Sequence, residues 1–62
     1  MNGVKTVFSR EYLRKIAFEF FLIGLRNTKA DREMLIGEGY TEVEADIICE
    51  RLAELGAKHD KG

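Results

Sequence analysis

A chain of 62 residues with 45% apolar and 34% charged side chains is long enough for one small folded domain and too apolar to be disordered. Its single cysteine excludes an internal disulfide, and one cysteine with one histidine excludes a Cys/His metal site. A core of this size supplies about 3–5 kcal/mol at most, so close helix packing or a second chain must add to it.

The chain contains no proline, and its breakers divide it into three helical stretches. "VKTVF", residues 4–8, alternates weakly. It reads as a short strand or as an extended, flexible lead over residues 1–8. Ser9 is placed to cap a long first helix from about Arg10 to Arg26. Leu13, Ile16, Ala17, Phe20, Ile23 and Gly24 share one face of that helix. Phe18, Phe21, Leu22 and Leu25 fall on the other side. Lys15, Glu19 and Arg26 leave only a narrow polar strip between the two sets. The second helix is short, about Lys29 to Ile36, with Thr28 as its cap and Asp31 three residues on. Gly37 or Gly39 ends it in a left-handed conformation. The third helix opens on "TEVE", residues 41–44, a capping box in which Thr41 and Glu44 each bind the other's amide. Tyr40 precedes the box and can staple onto Ala45. Ala45, Ile48, Cys49, Leu52 and Leu55 form its apolar face, with Val43 and Ile47 to one side. Gly56 is expected to stop it and leave residues 57–62 as a flexible tail.

The two short helices can cover one side of the first helix and not both. An apolar face left over on a helix needs a cover. The expectation is an all-α, three-helix domain that forms a homodimer through Phe18, Phe21, Leu22 and Leu25 of the long helix.

The uncharged run Phe20–Leu25 is six residues, far short of the about 20 that a membrane span requires. Glu19 also interrupts any signal-peptide-like apolar region. With a lone free cysteine, these features indicate a cytoplasmic protein with no membrane role.

The net charge of −1 hides an uneven distribution. Residues 1–29 carry about +4 and residues 30–62 about −5. The two halves can complement each other within the fold or across a dimer, or mark a binding surface. Glu42, Asp46, Glu50 and Glu54 recur every fourth residue on the third helix and form an acidic stripe. Like charges at this spacing repel. The stripe is either a solvated face or a docking surface for a basic partner.

Catalytic chemistry finds little to work with. His59 and Asp60 are neighbours in the tail and form no oriented nucleophile–base pair. Cys49 lies on the apolar side of the third helix, away from the electropositive setting that activates a thiol. "GEG", residues 37–39, lacks the Lys and Ser/Thr of a phosphate-binding loop. No cofactor or metal is called for, and the chain reads as non-enzymatic.

Two local resemblances bear on function. "LIGEGYTEVEA", residues 35–45, resembles the loop and second helix of ubiquitin-associated-type bundles. It spans about eleven of the 62 residues, and no further helix follows Leu55. "VKTVF", then Ser9 and "REYLRKIAF", resembles the opening of ribbon-helix-helix repressors, and "GYTEVEADIICERL" their second helix. That resemblance implies a dimer whose paired strands place Lys5 and Val7, or Val4, Thr6 and Phe8, in the major groove. Lys5, Arg10 and Arg14 would then contact DNA. "TKADREMLIG" is a helical insertion that the family does not need, and a pI near 5.8 is low for a DNA binder. The first expectation is therefore a small interaction or regulatory protein that binds a protein with a basic or apolar surface. Its size and composition would suit a phage or mobile-element accessory factor. A dimeric DNA-binding regulator is the alternative.

Overall fold

A computed structural model describes the backbone of residues 8–61 and the side chains of residues 8–58. Residues 4–8, read as a short strand or a flexible lead, therefore fall, apart from Phe8, outside the described residues, as does Lys5. Three helices follow in order: α1 (Arg10–Leu22), α2 (Lys29–Gly37) and α3 (Glu42–Lys61). The described chain is all-helical, and no helix is long and apolar enough to cross a membrane.

Each helix starts where a side chain satisfies its free amides. Ser9 Oγ accepts from the Tyr12 amide at 3.1 Å. Thr28 Oγ1 accepts from the Asp31 amide, also at 3.1 Å. The Asp31 carboxylate does not return to Thr28, as a glutamate would. It accepts from the amide of Arg26 at 2.8 Å and so pins the α1–α2 connection. At α3 the capping box is reciprocal. The Thr41 amide donates to Glu44 at 2.9 Å, and the Glu44 amide to Thr41 Oγ1 at 3.1 Å.

Helices α1 and α2 end in the same way. Gly24 and Gly39 both have positive φ, 109° and 115°. The Gly24 amide donates to the Phe21 carbonyl and the Leu25 amide to that of Phe20. Gly39 and Tyr40 repeat the pattern on Ile36 and Leu35. This is the Schellman arrangement, in which an apolar residue after the glycine folds back on the last turn. The first helix is thus shorter than the expected Arg10–Arg26, because Gly24 ends it rather than sharing its apolar face. Ile23, expected in the core, becomes the C-cap and is 73% exposed. Gly56 does the opposite of what was expected: α3 runs through it to Lys61. Ala57, after Gly56, has little apolar surface to fold back, whereas Leu25 and Tyr40 have much.

Helix α3 is the spine. It packs on both α1 and α2, while no Cα of α1 lies within 8 Å of one in α2. Leu13 and Ala17 of α1, Leu35 of α2, and Ala45, Ile48, Cys49 and Leu52 of α3 form the buried core. Phe8, Phe20 and Tyr40 pack against its edge. Phe8 packs, with its ring tilted, between Tyr12, 4.9 Å away, and Tyr40, 6.0 Å away. Two ion pairs report the direction of packing. Arg10 meets Glu50 at 3.4 Å and Arg14 meets Glu54 at 3.1 Å. A step of four along α1 matches a step of four along α3, so the two helices run parallel.

The glycines give opposite predictions. Gly24→Ala and Gly39→Ala each force a Cβ into the left-handed region and should cost about 1–2 kcal/mol. Gly56→Ala should stabilise by about 0.8–1 kcal/mol, because Gly56 lies inside a helix with open space where its Cβ would go. Urea titrations of the three variants test this, and a destabilised Gly56→Ala protein would contradict the α3 boundary.

Candidate functional site

Three surfaces were expected to act, and the structure places their residues differently. Of the four expected interface residues on the first helix, Phe18 and Leu22 are exposed, at 49% and 66%. Phe21 and Leu25 turn inward and pack against the core. The chain reversal at Gly24 carries Leu25 back, and the Arg26 guanidinium covers the Phe21 ring at 3.9 Å. Arg26 is held there by the Phe21 and Leu25 carbonyls, at 3.0 and 2.7 Å. The open apolar face of α1 is therefore half as wide as expected.

The acidic stripe of α3 is mostly engaged within the chain. Glu50 and Glu54 take Arg10 and Arg14, and Asp46 takes Arg32 at 2.7 Å. Glu54 also takes Arg51, one turn back, at 2.9 Å. These bonds hold the Glu54 carboxyl below its ordinary range, chiefly through Arg51 and then Arg14. The Arg32 guanidinium is pushed up by its hydrogen bond to Asp46. Glu42 is exposed at the start of the helix. The basic N-terminal third and the acidic C-terminal half thus complement each other inside the fold. Two of the three residues named for DNA contact, Arg10 and Arg14, are occupied by carboxylates.

A fourth surface was not among those expected from the sequence. Because α1 and α2 both lean on α3 and not on each other, an apolar groove of about 590 Å³ opens between them. Phe8, Phe20 and Ile23 line it on one side, and Met34 and Tyr40 on the other. Phe20 and Tyr40 meet edge to face, 6.3 Å apart. Glu38 and the buried Glu44 are the charged residues of the lining. Burial, followed by Tyr12, Glu44 and Glu38, pushes the Tyr40 phenol above its ordinary value. The hint in the sequence was the pairing of Ile23 with a helix-ending glycine, which removes Ile23 from the core.

Cys49 is buried, and burial pushes its thiol up against the pull of Arg32. A thiol so placed is a poor nucleophile. The side chain of His59 lies outside those described. Among the described residues no cluster of His, Cys, Asp or Glu could hold a metal ion. No known protein family, curated protein or solved structure matches the chain.

The lowered Glu54 carboxyl sets a pH dependence. Glu54 gives up its proton more readily folded than unfolded. Its contribution is present above the ordinary glutamate range and lost as pH falls through the lowered folded value. The melting temperature of the wild type should therefore drop more steeply below about pH 4 than that of Glu54→Gln. Since Glu54 is solvent-exposed, the difference should be small. Parallel acid profiles would contradict the Arg14–Glu54–Arg51 cluster.

Proposed function

We propose that this chain is a non-enzymatic interaction protein of the regulatory kind, which receives an apolar segment of a protein partner in the groove between α1 and α2. The observation that carries this reading is the groove itself: an aromatic-walled channel between two helices whose backbones stay more than 8 Å apart. Its volume suits a few large side chains on one face of a partner helix. Among the described residues its lining holds two carboxylates and no cation, so the partner is apolar with a basic residue directed at Glu38. Self-association through the outer face of α1 belongs to the same proposal. An enzyme is not favoured, because Cys49 is buried and no acid–base pair converges on the groove among the described residues.

A direct test uses amphipathic helical peptides with the same apolar face and either lysine or glutamate flanks. Lysine-flanked peptides should shift the amide resonances of Ile23, Met34 and Tyr40, and glutamate-flanked ones should bind at least tenfold more weakly. Met34→Glu should abolish the shifts without altering the helical circular dichroism. Equal binding by both peptide sets, or none by either, would overturn the reading.

A further inference from the structure

We propose that two copies of this chain pair antiparallel through the outer face of α1, with Lys15 of each copy opposite the partner's Glu19. This rests on the self-association reading above and specifies its direction and register. Lys15, Phe18, Glu19 and Leu22 are spaced i, i+3, i+4 and i+7, so they share one face of α1. All four are exposed. The arginines of α1 are turned to α3, where Arg10 and Arg14 meet Glu50 and Glu54. Lys15 and Glu19 make no ion pair with any described residue. They do not pair with each other across their own helical turn. Lysine before glutamate is also the weaker order for such a pair.

The apolar area of this face is too small for a stable dimer on its own, so the pairing leans on its charges. At roughly 200 Å² for a large apolar side chain, Phe18 and Leu22 offer on the order of 250 Å² per copy. Two copies give about 500 Å², below half of the about 1,200 Å² at which stable interfaces begin. The flanking Lys15 and Glu19 must be covered as well, and Tyr12, 46% exposed, lies beside them. A homodimer interface is self-complementary. In a parallel pairing, Lys15 would meet the partner's Lys15 and Glu19 the partner's Glu19. In an antiparallel pairing about an axis near Ala17 and Phe18, both contacts become attractive. Phe18 then lies beside the partner's Phe18, and Leu22 approaches the partner's Tyr12.

Charge reversal tests this in a way that misfolding cannot imitate. Sedimentation equilibrium over a series reaching millimolar concentration should show the wild type associating. Lys15→Glu and Glu19→Lys should each weaken self-association about tenfold or more. One variant face then carries two carboxylates and the other two ammonium groups. Mixed together, the two variants should form a heterodimer at least as tight as the wild-type dimer. The double exchange, Lys15→Glu with Glu19→Lys, should restore the homodimer. A wild type that stays monomeric throughout would overturn both this pairing and self-association, leaving the face to another protein or to solvent. A dimeric wild type whose two variants fail to rescue each other would overturn the register alone.

Discussion

The carboxylate of Glu44 is the constraint on which the arrangement of helices depends. It is 2% exposed, although a charged group is costly to bury without hydrogen bonds. The Thr41 amide supplies one at 2.9 Å, which starts α3. The Phe8 amide approaches its other oxygen at 3.4 Å, a long bond that nonetheless ties the lead of α1 to the first turn of α3. One side chain thereby sets two helix starts side by side. With both starts at one end, α1 and α3 must run parallel, and α2 must carry the chain back. A return helix of nine residues is too short to cover both neighbours. It covers α3 and leaves the groove, into which Glu44 itself is set.

The ion pairs between α1 and α3 could not fix this register alone. Each is solvent-screened and contributes little to stability. The acidic residues also repeat every four positions, so a slip of one turn would offer Arg10 to Asp46 and Arg14 to Glu50 with similar attraction. A slip the other way would bring Arg14 towards Lys58. The pairs thus bias the direction, and the buried residues with Glu44 choose the register. The same ladder accounts for the repeated acidic residues of α3. Their mutual repulsion is offset by arginines from α1, α2 and α3 itself. The partner-binding proposal rests for that reason on the chain's apolar openings rather than on its charged stripe.

What could be read from the sequence was local. The caps at Ser9, Thr28 and Thr41 are contacts between residues three apart, and each was visible as a residue type at a fixed spacing. So was most of the core of α3, because Ala45, Ile48, Cys49 and Leu52 recur at helical period. The end of α1 was missed because Gly24 fits that same period. The useful signal lay one residue later: leucine or tyrosine follows Gly24 and Gly39, and only alanine follows Gly56. The inward turn of Phe21 and Leu25 was illegible, since it depends on a chain reversal that lays Arg26 over Phe21. The groove was illegible for a stronger reason. It is a space between two elements set by how each packs on α3, and no single stretch of sequence encodes it.

If Glu44 organises the fold as described, its loss must be felt in two helices at once. Native-state hydrogen exchange on Glu44→Ala measures this residue by residue. The account predicts that protection falls together in the first turn of α3 and along α1 from its first turn. The overall loss of stability should be about 1–3 kcal/mol. The turn at Gly39, held by its own backbone bonds, should change no more than global stability requires. Loss of protection confined to the first turn of α3, with α1 unaffected, would contradict the account: Glu44 would then be a helix cap and nothing more.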